Sequence, residues 1–308
     1  NAGQTLRSES LQKFDSDMRW FRRRILVSEV ASWLRPVLGD ERSLLAVSIA
    51  AYVLLGAALY ILVRFRFAWP YALAVASAAM LFPPLRRWSL APMSDSAGVL
   101  SIAIALIAAT LTIRSGRRWL PLWIAALALG SFTRESIAVA VVAAAVLAVR
   151  RVPNGAVLFA TGVAAVAPAA MLFRYPMRLS FANLAARRLS VPVDTSTIAI
   201  VKHWAILVAV EPLYYLASEP IWTTVLLVTV VIALLSRGSG SDRYFAQAAA
   251  VGGLAYLVTF PFISGLRLEL VLLPAAALGA AALAGDLVAT VRPAIDAQPR
   301  RVDARSVT

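Results

Sequence analysis

The sequence predicts an all-α fold with about nine membrane-spanning helices, and three observations lead to that prediction. Of the 308 residues, 60% are hydrophobic and only 15% are charged, whereas soluble domains are roughly half apolar and about a quarter charged. Apolar runs approaching the roughly 20 residues needed to cross a bilayer recur along the chain. Arginines cluster between these runs. The composition excludes a disordered chain, a collagen-like chain and an ordinary cytosolic enzyme.

Residue types that are rare or missing exclude several kinds of catalytic and metal site. The chain has no cysteine, which excludes disulfides, thiolate metal sites and cysteine nucleophiles. Its one histidine, His203, cannot build a histidine-rich zinc site. The net charge of +14 comes almost entirely from arginine. Because these arginines lie between apolar runs, they indicate a polytopic membrane protein and not a nucleic-acid-binding protein.

Nine apolar segments are predicted to span the membrane. They cover residues 43–63, 67–83, 97–113, 119–132, 136–149, 155–173, 221–236, 244–263 and 268–290. The mixed segment 203–220 carries Glu211 and Glu219. We therefore expect it to lie at the interface and not to cross.

Arginine counts in the short loops predict the orientation. One set of alternate loops holds nine arginines: Arg64, Arg66, Arg114, Arg117, Arg118, Arg150, Arg151, Arg237 and Arg243. The other set holds four: Arg86, Arg87, Arg134 and Arg267. The richer set is expected in the cytoplasm. Residues 1–42 then form an outer loop, 43–290 a multi-span domain in the cell membrane with outer loop 174–220, and 291–308 a cytoplasmic polar tail.

The N-terminal part of the chain predicts an amphipathic helix over residues 17–38. Apolar residues recur there at steps of three and four, with arginines between them. The apolar residues are Met18, Phe21, Ile25, Val30, Trp33, Leu34 and Val37. The helix either lies on the membrane surface or packs against the outer loops of the protein, and the two are compatible. Because the chain starts at Asn1 and not at methionine, and its first forty residues are polar, we expect it to be truncated or processed at this end. No signal-peptide pattern is visible.

The pair Arg134-Glu135 is the first candidate for function. Each flanking apolar segment has about fourteen residues and so reaches only about 21 Å. The turn should therefore lie at or below the outer interface, where a charged pair faces a protein-lined cavity and is functional by default. The alternative is that Arg134 and Glu135 neutralise each other and staple the turn.

Asp95 and the arginines of the outer loops are further candidates. Asp95 directly precedes a span, so capping of a helix N-terminus accounts for its residue type equally well. Arg86 and Arg87, in the same loop, could bind a phosphate with their planar donors. Arg267 opens the last span on the same side, where arginine also snorkels to the interface.

Several short motifs carry a resemblance to a known family. They are Ser94-Asp95-Ser96-Ala97 before an apolar span, Arg114-Ser115-Gly116-Arg117-Arg118, and Phe132-Thr133-Arg134-Glu135 after a short apolar helix. Two more are Phe21-Arg22-Arg23-Arg24-Ile25-Leu26-Val27 and Gly265-Leu266-Arg267, the latter with Pro274 inside the last helix. Together they resemble the polytopic GT-C glycosyltransferases, in particular poorly characterised bacterial members. The resemblance covers most of the chain and rests on spacing, hydropathy and these motifs.

The resemblance implies an enzyme that transfers a sugar from a polyprenyl-phosphate-linked donor to an acceptor on the outer face. In the family, an acidic base lies in the first outer loop and a second acidic residue often lies in the next. Here those loops hold Asp15 and Asp17, and then Asp95, as the implied catalytic residues. The implied phosphate and substrate site comprises Arg86, Arg87, Arg134, Glu135 and Arg267. The family's acidic motif usually sits nearer to a preceding span, which this chain lacks.

Partners and alternative functions complete the prediction. The implied partners are the lipid-linked donor, membrane lipid and an acceptor, with no cofactor. Outer carboxylates could hold a divalent ion, but no ligand cluster is visible. One alternative is a transporter or flippase for a lipid or anionic solute. It should need ionisable groups near the bilayer midplane, and none lies deep in the long spans. Another alternative is a non-catalytic membrane subunit, in which the outer charged residues are ordinary solvent-exposed surface residues.

Overall fold

The described part of the chain is helical. The computed structural model describes residues 25–89, 95–172, 182–183, 185–186, 189–235, 241–259 and 269–296. These residues include no strand, and about 90% of the structure is helical. The predicted all-α class is therefore confirmed.

Twelve α-helices have described bounds. They are α1 Ile25–Leu38, α2 Asp40–Arg64, α3 Trp69–Leu81, α4 Pro83–Ser89, α5 Asp95–Ser115, α6 Leu120–Thr133, α7 Ala138–Val149, α8 Gly155–Leu172, α9 Thr197–Ser218, α10 Pro220–Leu235, α11 Ser241–Thr259 and α12 Leu273–Asp296. Single 3₁₀ turns cover Arg117–Trp119, Glu135–Ile137 and Glu269–Leu272.

Two helical segments among the described residues are long and apolar enough to cross a membrane by length and composition. They are Arg42–Arg64 and Asp95–Ser115. Seven further apolar helical segments have 10–17 residues. The helix lengths therefore do not confirm nine spans, and that number stays a prediction.

Helix α5 lies at the centre of the bundle, in contact with α2, α6, α7 and α12. Its buried residues belong to two apolar clusters that meet at this helix. Many of them are alanines, such as Ala103, Ala105 and Ala108. Small side chains let neighbouring backbones approach closely, as they do where helices pack without large residues between them.

Three turns converge at one end of the bundle, which we call the basic end. Arg114 Nη1 donates to the carbonyl oxygen of Phe65 at 2.6 Å. Arg117 Nε donates to Asn154 Oδ1 at 3.4 Å, and Asn154 Nδ2 donates to the carbonyl oxygen of Thr112 at 3.1 Å. Three of the four loops that the arginine count grouped together therefore meet in space.

Helix α1 uses only part of its apolar surface for packing. Val27 and Ala31 are buried, where α1 packs against α2 and α6. Trp33 and Val37 are instead 71% and 84% exposed. The helix thus packs on the protein, as one alternative proposed, and also leaves an apolar face open. Met18 and Phe21 lie outside the described residues.

Helix α9 runs across the end of the bundle opposite the basic end. Trp204 Nε1 donates to the carbonyl oxygen of Val258, near the end of α11, at 2.8 Å. Just beyond the other end of α9, Glu219 pairs with Arg87 of α4 at 3.1 Å. Because both contacts lie at the same end of the bundle, α9 does not run through it.

The contacts at the N-terminus of α9 indicate that the stability of this helix end depends on pH. The Ser196 backbone N–H donates to Asp194 Oδ1 at 2.8 Å, and the Ser196 hydroxyl accepts from the Ala199 N–H at 3.3 Å. The Ser196 backbone and hydroxyl hydrogen bonds, with His203 adding to them, hold the pKa of Asp194 below its ordinary value of 3.8. A lowered folded-state pKa means that the contribution of Asp194 to stability is fully present above pH 3.8 and is lost as the pH falls through the folded-state pKa.

We expect hydrogen-exchange protection of the Ser196 and Ala199 amides, corrected for intrinsic exchange, to fall in that pH range. Asp194→Asn, which keeps an acceptor but does not titrate, should remove the pH dependence; unchanged protection in the parent chain would contradict the assignment.

Candidate functional site

The structure joins two of the predicted site residues in a buried ion pair. Arg134 Nη1 donates to Asp95 Oδ1. Asp95 begins α5, and Arg134 follows the last residue of α6. The Asp95 side chain is 1% exposed and the Arg134 side chain is 6% exposed. A carboxylate and a guanidinium therefore share the interior of a bundle whose other buried side chains are mostly apolar.

Helix length explains why Arg134 is buried. The 14 residues of α6 rise about 21 Å, against about 31 Å for the 21 residues of α5. Helix α6 runs back alongside α5 and ends just before Arg134. The backbone of Arg134 is extended, with φ −165° and ψ 146°. Arg134 consequently lies beside Gly98, one turn below the start of α5. Arg134 is therefore surrounded by protein, and its depth relative to a membrane interface stays a prediction.

Gly98 makes room for the ion pair. A Cβ atom on Gly98 would lie 2.9 Å from Arg134 Cδ and 3.2 Å from Ser136 Oγ. Only a residue without a side chain lets the guanidinium pass along α5 toward Asp95. Gly98 and Asp95 are three residues apart and so share a helix face.

Two serines add polarity to the same region. Ser96 Oγ donates to the carbonyl oxygen of Ser48 in α2 at 3.2 Å. Ser136 Oγ is fully buried and has no hydrogen-bond partner among the described residues. A buried hydroxyl of this kind calls for an explanation such as a ligand or an ordered water.

The ion pair bears on the two alternative explanations given above, a stapled turn for Arg134 and Glu135 and helix capping for Asp95. Arg134 donates to Asp95, 39 residues away in the chain, so mutual neutralisation with Glu135 is not the whole account of Arg134. Glu135 lies half-buried in the following 3₁₀ turn. Asp95 is an acidic residue in the first turn of α5, where a negative charge interacts favourably with the helix N-terminus. Because its carboxylate also binds Arg134, capping alone does not account for it.

The remaining predicted residues divide into two groups. Arg86 and Arg87 are exposed on α4, which packs against α5, and Arg87 pairs with Glu219 at 3.1 Å. They are thus at the same end of the bundle as Asp95, but on its surface. Asp15, Asp17 and Arg267 lie outside the described residues.

Sequence reasoning missed Gly98, Ser136 and Tyr52. The Tyr52 hydroxyl donates to the carbonyl oxygen of Met80, which joins α2 to α3 just before α4. Only Gly98 and Ser136 carried a signal, since they lie three and two residues beyond Asp95 and Arg134. Within the described ranges, no three His, Asp or Glu side chains come together as a metal site.

Comparison of the chain with known protein families, curated proteins and solved structures finds no match. The resemblance to GT-C enzymes therefore stays a prediction from the motifs and spacings given above.

Proposed function

We propose that this protein is a polytopic membrane glycosyltransferase that uses a polyprenyl-phosphate-linked sugar donor at the outer face of the cell membrane. The observation that carries the proposal is the buried pair of Asp95 and Arg134. It provides a carboxylate and a phosphate-binding cation side by side at the end of the bundle that also carries Arg86 and Arg87.

The surface of the bundle supports a membrane location. Large apolar side chains are exposed on many helices, among them Val53 at 61%, Leu73 at 51% and Val228 at 50%. Monomeric soluble proteins rarely expose extended apolar surface. Lipid would cover these side chains, and α9, lying across one end, fits a helix at the interface.

The energetic cost of the ion pair supports a functional role. Transfer of each ion out of water costs several kcal/mol even after relaxation, and well-packed apolar residues often serve stability equally well or better. Ionisable groups buried at membrane depth are functional candidates by default. Gly98, which leaves space for Arg134, shows that the surrounding packing accommodates the pair.

The pair suits glycosyl transfer. The acceptor hydroxyl loses its proton to Asp95 while its oxygen forms a bond to the anomeric carbon. The bond from that carbon to the phosphate oxygen breaks, and the polyprenyl phosphate leaves with the electron pair. Arg134 stabilises the charge that develops on this leaving group, and Arg86 and Arg87 bind the phosphate from the surface. The donor phosphate competes with Asp95 for Arg134, which makes the carboxylate available to the acceptor.

Substitution of Asp95 tests the proposal. We expect Asp95→Asn to lower the turnover number about 100-fold or more, as for loss of a general base, with a smaller change in donor KM. The measurement is transfer of radiolabelled sugar from a panel of polyprenyl-phosphate donors by the purified protein, expressed from its complete reading frame. Glu29→Gln removes an exposed carboxylate on α1 and should leave activity within about twofold. Full activity of a folded Asp95→Asn protein would exclude Asp95 as the base.

The same preparations distinguish the alternative functions. In proteoliposomes, translocation of a labelled lipid donor without sugar transfer would favour a flippase. If no donor of the panel is used, and substitution of Arg134 affects folding only, a non-catalytic subunit is favoured. Either result would overturn the glycosyltransferase proposal.

A further inference from the structure

The basic end of the bundle concentrates positive charge. Its described side chains include seven arginines and no aspartate or glutamate: Arg64, Arg66, Arg114, Arg117, Arg118, Arg150 and Arg151. All of them except Arg66 are exposed. The hydrogen bonds that order Arg64 and Arg117 go to neutral acceptors, the Phe67 carbonyl and the Asn154 amide. These bonds position the guanidinium groups without neutralising them.

Asn154 holds two of the arginine-bearing turns together. It accepts from Arg117 Nε at 3.4 Å and donates to the carbonyl oxygen of Thr112 at 3.1 Å. Thr112 is in the last turn of α5, whereas Asn154 follows α7, so one side chain ties the α5–α6 turn to the α7–α8 turn. The arginines of these turns are therefore ordered relative to one another.

Arg151 occupies a position that favours glycine. The Arg151 N–H donates to the Ala148 carbonyl and the Val152 N–H to the Leu147 carbonyl, both at 3.0 Å. This is the Schellman motif that ends many helices, and its left-handed residue is usually glycine. Arg151 adopts φ 54° there, which costs free energy for a residue with a Cβ atom. The position provides an exposed charge where glycine would be more stable.

Aromatic and apolar surface adjoins the arginines. The Arg118 guanidinium lies 6.0 Å from the centre of the Trp119 ring, and that of Arg150 lies 5.6 Å from the Tyr244 ring. Val149, directly before Arg150, is 81% exposed. Cationic and aromatic side chains thus lie next to exposed apolar helix surface. This arrangement is complementary to a molecule with an anionic head group and an apolar chain.

We propose that the basic end binds the phosphate head group of an anionic phospholipid, between the Arg117–Arg118 turn and the Arg150–Arg151 turn. The acyl chains of this lipid lie along the helix surface around Val149. The site is at the opposite end of the bundle from Asp95. The inference rests on the proposed membrane location and not on the proposed sugar transfer.

Lipid titration of the full-length protein in nonionic detergent tests this site. Phosphatidylglycerol should bind with saturation, and phosphatidylcholine should not. Arg117→Gln with Arg150→Gln should weaken phosphatidylglycerol binding roughly 30-fold, from about 1 kcal/mol for each charge near an anionic surface. The matched control, Arg35→Gln with Arg42→Gln, removes two exposed arginines of α1 and α2 near the opposite end and should change the affinity less than about threefold.

Two further variants separate a defined site from a general attraction between charges. Asn154→Gly keeps every charge and suits the left-handed φ of 61°, but removes both side-chain hydrogen bonds; we expect affinity to fall about threefold or more. Arg151→Gly should weaken binding about fivefold while the thermal midpoint in lipid-free detergent stays equal or rises. That midpoint shows that lost binding is not lost folding.

Three outcomes would overturn the inference. The first is equal affinity for the two lipids, and the second is an equal loss in the control double variant. The third is displacement of phosphatidylglycerol by inorganic phosphate at comparable concentration, which would indicate a soluble anion as the ligand. Release of the protein from membranes by carbonate would instead refute the membrane location, and inactivity in sugar transfer would leave the lipid site standing.

Discussion

Replacement of Arg134 by methionine is expected to lower the free energy of unfolding by about 3–5 kcal/mol, because it leaves a buried carboxylate without its cation. Asp95 is 1% exposed in the folded chain, so water cannot replace the lost partner. Methionine keeps most of the side-chain volume, which limits the contribution of a cavity. The measurement is reversible chemical unfolding in detergent micelles, followed by the helical signal.

The exposed ion pair at the same end of the bundle provides the control. Arg87→Met removes a partner of Glu219, but the Arg87 side chain is 65% exposed, and we expect a loss of only about 0–1 kcal/mol. The double variant Asp95→Leu with Arg134→Met should recover most of the stability lost by Arg134→Met alone, since it leaves no buried charge. A loss below about 1 kcal/mol for Arg134→Met would show that the pair is hydrated and not buried.

Gly279→Ala in α12 is expected to destabilise the bundle by about 3 kcal/mol, at the upper end of the usual cost of overpacking. A Cβ atom at this position would overlap the carbonyl oxygen of Thr229 and lie 3.0 Å from the Ala233 backbone nitrogen. Both are backbone atoms of α10 and cannot rotate away. The two helices would have to separate, with loss of packing along their contact. Thermal and chemical unfolding in detergent both measure the effect.

Gly56→Ala in α2 is the matched control. It introduces the same methyl group into another helix, but there the new Cβ meets the end of the flexible Met80 side chain, with Sδ at 3.0 Å. Alanine also favours helix over glycine by about 1 kcal/mol. We expect a net change of no more than about 1 kcal/mol. Equal losses at Gly56 and Gly279 would contradict the proposed tight contact of α10 and α12.

The position of Arg134 in a turn between two short helices could be predicted from the sequence, but its partner could not. Fourteen apolar residues on each side limit the height of the hairpin through the helix rise alone. That Arg134 binds Asp95 depends on how α5 and α6 pack, because the two residues are 39 positions apart. From the sequence, the adjacent Glu135 is the partner that the alternative of a stapled turn assigns to Arg134. Local pattern contains no information to choose between them.

The basic end illustrates the same division. Alternation of apolar runs and arginine-rich loops was sufficient to group Arg64, Arg114 and Arg150 on one side. That Asn154 joins two of these loops depends on the left-handed turn that ends α7 and on its contact with Thr112. A single asparagine after a proline predicts a turn, but not the carbonyl that its amide reaches.

Composition, run lengths and helix rise were therefore enough to predict the all-α class and a charged turn between two short helices, because each depends on residues close together in the chain. The Asp95–Arg134 pair, the space at Gly98 and the tie formed by Asn154 were decided by tertiary packing. Each of these joins residues from separate helices or turns, and contacts of that kind follow from the relative placement of whole helices. Hydropathy and periodicity describe one helix at a time, whereas the geometry of the site is set where helices meet.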